Sequence, residues 1–335
     1  MSLPAINQSQ LKAWRNCQRM WEYKYHDRIS PKEKARPLFL GSWVHACLES
    51  YYRDGDWKIG HREYLSQYDA LREEERVALE TKRGRRGTPL PDLVTRIMKS
   101  YLWYYRNDEW EVVLTEEVFD VELKGVRFKG RIDLIIRDSR GLLWVIDHKT
   151  AATIPMATSF HAMDPQLFIY PWAAKKMWGM DVDGVMYNYV KSRPPTLPQL
   201  TKKTGVLSKR RINTDYPTLM RFLKENDLDP RDFSDVLRPL MKKSEFLRRY
   251  RLPREETVLK RILQESLWTA REIMDHPHTV RNITRDCVRC PYQAICRAEL
   301  NGFDTTQMRK HDFVVEEDPY GDSDLTEQTQ EEADD

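Results

Sequence analysis

Residues 126–150, VRFKGRIDLIIRDSRGLLWVIDHKT, contain two apolar stretches separated by a short turn-type segment. The preceding residues 111–123, EVVLTEEVFDVEL, have the same strand-like character. Because the connections KG and DSRG suit tight turns, the three stretches predict an antiparallel meander. Helix-type periodicity on both sides of this meander predicts an α/β protein with helical additions.

The flanking elements follow from helix periodicity and from cap residues. A fourth strand is expected at 184–191, GVMYNYVK, and a charged, helical insertion at about 194–250. The expected helices are, in chain order, one capped by Ser9, one over 39–53, one over about 58–80, one beginning at Pro91, one over 165–178 and one over about 254–274.

An acidic pair is expected where the second and third strands of the meander adjoin. The short turn places Asp133 across from Asp147, with Lys149 on the same side as Asp147. Alternation turns Asp133 away from the face shared by Ile132, Leu134 and Ile136. Two neighbouring carboxylates repel each other unless a cation lies between them. The pair therefore favours a divalent metal site, where Lys149 can hold a water or stabilise developing negative charge.

Other polar residues lie at spacings that can complete such a site. His45 and Glu49 share one helix face, as do Gln166 and Tyr170. A neutral imidazole from His45 suits manganese and tolerates magnesium. Taken singly, a D-x-K pattern is common by chance, and a half-buried hairpin with charges on its solvated face is then the better explanation. Glu116 and Glu117 are expected at a solvated strand edge, although either can supply another metal contact.

Four motifs stand in a definite order along the chain. They are G-x-x-x-H at Gly41 and His45, G-x-x-D at Gly130 and Asp133, D-x-K at Asp147 and Lys149, and Q-x-x-x-Y at Gln166 and Tyr170. This ordered set resembles the RecB-like branch of the PD-(D/E)XK nucleases. The resemblance implies a restriction-endonuclease-like core, which is a mixed central sheet flanked by helices. It also implies metal-dependent hydrolysis of DNA.

The resemblance further implies a role for each matching residue. His45, Asp133, Asp147 and the backbone carbonyl of His148 would bind Mg or Mn, and Lys149 would position or activate the attacking water. Gln166 and Tyr170 would contact the DNA or orient the catalytic strand. Pro171 lies inside the Gln166–Tyr170 helix and predicts a kink there, because proline removes a backbone hydrogen bond.

Four of the five cysteines form a pattern typical of a metal site. One metal centre can be bound by Cys287, Cys290 and Cys296. The fourth ligand position can then be filled by the distant Cys17. Spacing alone leaves zinc and an iron–sulfur cluster as alternatives. The pattern resembles the iron–sulfur subset of the same branch, which includes AddB and the CRISPR-associated RecB-like exonucleases. That resemblance implies a [4Fe–4S] cluster linking the N-terminal helix to segment 280–300. Cys47 is expected to pack as a small apolar residue.

The charge distribution favours nucleic acid as a partner. Residues 314–335 carry ten acids and no Lys or Arg, so the formal charge of +3 conceals a body of +13. We expect residues 1–313 to form the nuclease domain and the acidic end to be disordered. A competing interpretation is that this end mimics DNA. Four basic runs can follow a phosphate backbone, namely 82–86, 202–203, 209–211 and 248–251.

The resemblance implies a cytoplasmic exonuclease that acts on single-stranded DNA or DNA ends. Its setting would be recombination, end processing or spacer acquisition, with partner proteins of such pathways. The mean hydropathy of −0.71 predicts no transmembrane helix, and the N-terminus has no signal-peptide pattern. Two alternatives remain: an inactive DNA-binding subunit with a structural cluster, and a zinc-bound structural protein.

Overall fold

The structure is a computed structural model that describes residues 5–33, 35–82, 85–86, 88–155, 164–193, 195–196 and 213–316. Its α-helices are, in chain order, α1 Gln8–Asn16, α2 Gln18–Trp21, α3 Arg36–Asp54, α4 Lys58–Asp69, α5 Glu73–Glu80, α6 Leu90–Tyr104, α7 Pro165–Trp178, α8 Tyr216–Glu225, α9 Ser234–Lys242, α10 Glu256–Asp275, α11 Gln293–Leu300 and α12 Thr306–Asp312. Its strands are β1 Ala5–Ile6, β2 Ile29–Pro31, β3 Thr81–Lys82, β4 Arg85–Arg86, β5 Glu111–Leu123, β6 Val126–Arg137, β7 Leu143–Ala151, β8 Gly184–Lys191, β9 Leu247–Pro253 and β10 Phe313–Val315.

A six-stranded mixed sheet lies at the centre of the molecule. Strands β5, β6 and β7 are antiparallel neighbours, which confirms the predicted meander. β8 is parallel to β7, and β9 is antiparallel to β8. One edge of β6 has two partners, because β7 pairs with 134–137 and the short β1 pairs with 127–128. Between these two partners, β6 carries Asp133.

Helices cover both faces of this sheet. Helices α1, α7 and α10 bury one face in a cluster that includes Leu11, Ile135, Val145, Ile169 and Ala270. Helices α3 and α6 pack in a second cluster that includes Trp43, Val44, Leu93, Tyr101 and Val190. Burial of each such side chain stabilises the fold by roughly 1.5–3 kcal/mol. The mixed sheet between helical layers confirms the α/β class and is consistent with a restriction-endonuclease-like core.

Helix α7 makes the crossover that the parallel pairing of β7 and β8 requires. Asp164 caps it by accepting a hydrogen bond from the Gln166 backbone N–H, and Gly179 ends it at a φ of 70°. These boundary residues confirm the predicted helix. The helix continues through Pro171 as a single element, and the kink stays a prediction.

The predicted limits of the 194–250 insertion are wrong at their C-terminal end. Residues 247–253, LRRYRLP, form β9 of the central sheet rather than part of a helical lobe. This strand contains three arginines, so its sequence lacks the apolar pattern by which a buried strand is recognised. β8 is buried along almost all of its length, so its backbone needs a partner on each edge. In the described part of the insertion, α8 and α9 pack through Leu219, Leu223 and Leu237.

Three further boundaries differ from expectation. The first helix is capped by Asn7 rather than Ser9, and it breaks at Cys17, where the backbone is extended (φ −167°, ψ 111°). The helix predicted over 58–80 is two helices, α4 and α5. The acidic segment was expected to begin at residue 314, yet Val314 and Val315 pair with β2. Residues 317–335 lie outside the described residues. None of the described helices has the length and apolarity needed to cross a membrane.

Candidate metal centre and cysteine pocket

The carboxylate of Asp133 lies between β6 and β7 at the point where their backbone pairing ends. There it connects the two strands through a hydrogen bond. The ladder between them pairs Leu134 with Ile146, which is the register expected from the turn, and it ends there. Asp133 and Asp147, which were expected to pair, are the next residues beyond its end. Beyond that point the His148 backbone N–H donates to Asp133 Oδ2 at 2.8 Å. This hydrogen bond satisfies a buried donor and fixes the carboxylate in the gap.

The regular alternation of β6 fails at Asp133, contrary to prediction. Ile132 packs in the cluster with α7 and α10, whereas Leu134 and Ile136 pack in another cluster with Trp144. On the neighbouring strand, Glu116 has a φ of +53°, which is rare for a residue with a side chain. The ladder pairs the residues on either side of these two, which places Glu116 opposite Asp133. Strained backbone of this kind is often found at functional sites.

Helix α3 brings His45 to the same place. A Cβ at Gly41 would lie 3.0 Å from Thr150 Oγ1, so the absence of a side chain allows α3 to approach β7 closely. One turn further along α3, His45 Nδ1 lies 3.7 Å from Asp133 Oδ2. The glycine of the G-x-x-x-H motif therefore permits the close packing of α3 on β7 that brings His45 to Asp133.

His45, Glu116 and Asp133 form a cluster with the composition of a metal site. Each offers one ligand atom, and these atoms all lie within 4.8 Å of one another. We call this group the three-ligand cluster. The expectation of a solvated strand edge is therefore wrong for Glu116, whose side chain is only 14% exposed. Burial raises its pKa to about 8, with a further contribution from Asp133 and Glu49. The signal that could have identified it was its register opposite Asp133.

Asp147 lies beside this cluster and is held by a second set of side chains. It is 1% exposed, and Lys149 Nζ lies 2.9 Å from its Oδ1 and 2.7 Å from its Oδ2. Burial raises the pKa of Asp147 to about 7, although the attraction of Lys149 opposes the shift. Burial lowers the pKa of Lys149, but the carboxylate of Asp147 outweighs it, so the net shift is upward. Lys149 is therefore held as a cation.

The side-chain amide of Gln166 orients both members of this pair. Its Oε1 accepts from Lys149 Nζ at 3.1 Å, and its Nε2 donates to Asp147 Oδ1 at 3.1 Å. The same Nε2 lies 2.6 Å from the hydroxyl oxygen of Tyr170. The structure thus brings all four of these predicted residues together. Their catalytic roles and the metal contact of Asp147 remain predictions.

Gly130 has a packing role in placing Tyr170. A Cβ on Gly130 would lie 2.7 Å from the ring of Phe119, its partner across the β5–β6 ladder. The Phe119 ring occupies this space and meets Tyr170 edge-on, with 6.1 Å between the ring centroids. The glycine of the G-x-x-D motif therefore allows the ring that supports Tyr170 to lie flat against the strand.

His148 extends the site to the other side of β7. Its ring is buried against His45 (centroids 5.9 Å apart) and stacks with Tyr52. Its Nδ1 lies 2.7 Å from Asn188 Nδ2. Burial lowers its pKa well below the usual value, with repulsion from His45 and Arg249 adding to the effect, so the ring is neutral. The metal contact of its backbone carbonyl remains a prediction.

Cys17, Cys287, Cys290 and Cys296 line one pocket of about 180 Å³, which we call the cysteine pocket. Burial raises the pKa of Cys290, and the charges of the other three thiols contribute in the same direction. Arg281 Nε donates to Cys296 Sγ at 3.3 Å, and the Asn282 backbone N–H donates to Cys17 Sγ at 3.5 Å. Cys47 is fully buried in the apolar core, as expected.

The two chain segments that meet at this pocket are joined by direct hydrogen bonds. The Arg19 backbone N–H donates to the Val280 carbonyl at 3.1 Å, and the Val280 N–H donates to Gln18 Oε1 at 3.0 Å. Nearby, Glu299 accepts from Arg19, Tyr23 and Arg309. Although burial opposes ionisation, these donors lower the pKa of Glu299 to about 2.

Of the four basic runs, the one at 248–251 is partly buried and does not only present charge to solvent. Arg249 is 13% exposed and pairs with Asp108 at 2.6 Å. Its guanidinium lies 3.4 Å from the Tyr105 ring centroid and 4.0 Å from that of Trp110. It therefore has a structural role in the core. The side chains of the runs 82–86, 202–203 and 209–211 lie outside the described parts of the chain.

Comparisons with known proteins relate the chain to one family. Two solved structures share weak similarity with the chain. One, from Eubacterium rectale and described as a candidate exonuclease, is 11% identical, with a TM-score of 0.45 over 85% of this chain and 87% of the other. The other, SSO0001, is 16% identical, with a TM-score of 0.29 over 87% and 95%. No curated protein sequence matches significantly. A family model matches residues 5–297, nearly the whole chain, and the chain therefore belongs to the PD-(D/E)XK nuclease superfamily.

Proposed function

We propose that this protein is a Mg- or Mn-dependent deoxyribonuclease of the RecB-like branch, acting as an exonuclease on single-stranded DNA or DNA ends. The observation that carries the proposal is the three-ligand cluster beside the Lys149–Asp147–Gln166 group. Nucleases of this superfamily hydrolyse phosphodiesters with the help of divalent metals. The described site has residues that could bind a metal and a cationic side chain that could act on the phosphate.

The donor set fits a divalent ion that accepts nitrogen and oxygen ligands. His45 supplies an imidazole nitrogen, and Glu116 and Asp133 supply carboxylate oxygens. Asp147 would add a further carboxylate oxygen from β7. Burial raises the pKa of Glu116 and of Asp147, and repulsion from the neighbouring Asp133 carboxylate adds to both shifts. When bound, the ion would activate a water and stabilise charge on the phosphate.

The remaining steps belong to residues of this chain. Lys149 holds the attacking water against the phosphorus and stabilises the negative charge that develops on the phosphate oxygens. Gln166 keeps the ammonium of Lys149 aimed at that position, because it binds Lys149 and Asp147 at once. Tyr170 fixes the amide of Gln166 from the other side. The hydrogen bond from His148 holds the Asp133 carboxylate in place before substrate arrives.

We further propose that the cysteine pocket holds a [4Fe–4S] cluster rather than zinc. A tetrahedral zinc site with Zn–S bonds of about 2.3 Å places its sulfurs about 3.8 Å apart. Among the described residues, no three cysteine sulfurs lie within 4.8 Å of one another. The wider spacing suits four thiolates around a larger centre. The cluster would tie α1 to the C-terminal segment.

The setting we propose is cytoplasmic DNA recombination, end processing or spacer acquisition, with proteins of those pathways as partners. None of the five cysteines is in a disulfide, which suits a reducing compartment.

One preparation tests these proposals. The protein is purified without oxygen, its iron, sulfide and zinc are measured, and end-labelled single- and double-stranded DNA is incubated with it and Mn. We expect iron with matching sulfide, and progressive shortening from an end that Lys149→Ala abolishes. Cleavage that persists in Lys149→Ala would overturn the catalytic assignment. A zinc-loaded sample would overturn the cluster assignment alone.

A further inference from the structure

A cleft of about 650 Å³ opens beside the three-ligand cluster, and Arg131 is the cation in its described lining. The cleft is also lined by Gly41, His45, Thr150 and three carboxylates, those of Glu49, Glu63 and Glu116. Arg131 stands two residues before Asp133 on β6, and half of its side chain is exposed. Lys149, in contrast, is held by Asp147 and Gln166. Arg131 is therefore the group that can meet an anion entering from solvent.

The guanidinium of Arg131 pairs with the same carboxylate that belongs to the three-ligand cluster. Arg131 Nη1 lies 3.6 Å from Glu116 Oε2. This separation is longer than a close ion pair, which has N–O distances of about 2.7–2.9 Å. Glu116 thus has two alternative partners, the guanidinium of Arg131 and a divalent ion at the three-ligand cluster.

A divalent ion and the guanidinium compete for the charge of Glu116. When the carboxylate is bound to the ion, less of its charge is available to Arg131, and the guanidinium needs another anion. A DNA phosphate suits this need, because the planar guanidinium can form two parallel hydrogen bonds to phosphate oxygens.

We propose that Arg131 binds a DNA phosphate in the cleft and that metal binding at Glu116 releases it for this contact. The inference rests on the proposed nuclease function and adds a substrate-binding residue to it. Metal and DNA then bind cooperatively in part through Arg131, and by linkage each ligand strengthens the other.

The same strand offers a matched control. Arg137 also lies on β6, is 44% exposed, and pairs with a glutamate of β5, Glu111, at 3.1 Å. It differs from Arg131 in lying outside the described lining of the cleft. Arg137→Met therefore removes an equivalent charge and an equivalent cross-strand pair at the other end of the strand.

The test measures equilibrium binding of a labelled single-stranded oligonucleotide over a salt series, without metal and with Ca. For Arg131→Met we expect DNA affinity with Ca to fall about 10-fold and the slope of log K against log salt to fall by about 0.7, the value for one phosphate contact. Ca should raise DNA affinity less in this variant than in the wild type. Arg131→Lys should recover part of the loss, and Arg137→Met should behave as wild type.

Manganese binding without DNA completes the experiment. Arg131→Met should bind Mn as tightly as the wild type or more tightly, because the competitor for Glu116 is gone. An unchanged salt slope, equal coupling of Ca and DNA in Arg131→Met and wild type, or weaker Mn binding would overturn the proposal. Absence of cleavage by the wild type would overturn the nuclease function, whereas the binding series would still decide the role of Arg131.

Discussion

The three-ligand cluster takes its carboxylates from neighbouring strands, β5 and β6, whereas the cysteine pocket joins Cys17 to residues about 270 positions later. In the first region, sheet register alone sets the carboxylates opposite each other. In the second, closure depends on hydrogen bonds between segments that are distant in the chain. The comparison teaches that chemistry and fold integrity are separable here: damage to the first should remove activity, and damage to the second should lower stability.

Asp133→Asn tests the first region and should have the largest effect. The amide oxygen can still accept the His148 N–H, so the strands stay joined while the ligand charge is lost. We expect kcat/KM to fall on the order of 10³-fold, with the unfolding temperature nearly unchanged. Steady-state cleavage and calorimetry measure the two quantities. A large fall in unfolding temperature would contradict the separation.

Cys17→Ser tests the second region. If the pocket holds a cluster, its loss opens a loop of some 270 residues, and the chain-entropy cost is about 5 kcal/mol. We expect the free energy of unfolding and the iron content to fall, while cleavage at low temperature persists. Cys47→Ala is the control, since Cys47 lies in the apolar core and its loss should leave iron content unchanged.

Gln166→Leu sharpens the comparison within the first region. Its amide binds Lys149 and Asp147, and a hydrogen bond to a charged group contributes about 1.5–3 kcal/mol. We expect kcat to fall roughly 10- to 100-fold with Mn affinity unchanged, because Gln166 lies outside the three-ligand cluster. Tyr170→Phe should have a smaller effect. Loss of Mn affinity in Gln166→Leu would place Gln166 in the metal site instead.

Glu299→Gln gives the smallest effect and concerns pH. Because the pKa of Glu299 is lowered to about 2 from 4.5, its ionisation stabilises the fold above about pH 4.5. That contribution is lost as the pH falls from 4.5 towards 2. The difference in unfolding free energy between wild type and Glu299→Gln should therefore shrink over this range. A difference that stays constant on acidification would exclude Glu299 as the source.

Local sequence patterns predicted the sheet and much of the site because they act over short distances. The meander, the register at Leu134 and the cap at Asp164 follow from turn length, alternation and helix-end chemistry. These features require no knowledge of distant parts of the chain. The four motifs then lie where β6, β7, α3 and α7 meet.

What escaped prediction depends on contacts that no local pattern shows. β9 resembles solvated sequence because of its arginines, yet Arg249 packs on the distant rings of Tyr101, Tyr105 and Trp110. In the sequence, Glu116 looks like one more polar residue on a strand. Only its positive φ and its position opposite Asp133 show that its side chain belongs to the three-ligand cluster. The limits of the acidic segment were missed because the partner of β10 lies near the other end of the chain.

The hydrogen bonds between residues 16–19 and 280–282 also bear on how the protein is made. A ribosome releases the N-terminal helix well before it polymerises the residues that complete the pocket around Cys17. During translation, the thiol of Cys17 is therefore present before Cys287, Cys290 and Cys296 have been synthesised. Completion of that pocket, including delivery of any inorganic centre, must therefore come after synthesis has passed Cys296.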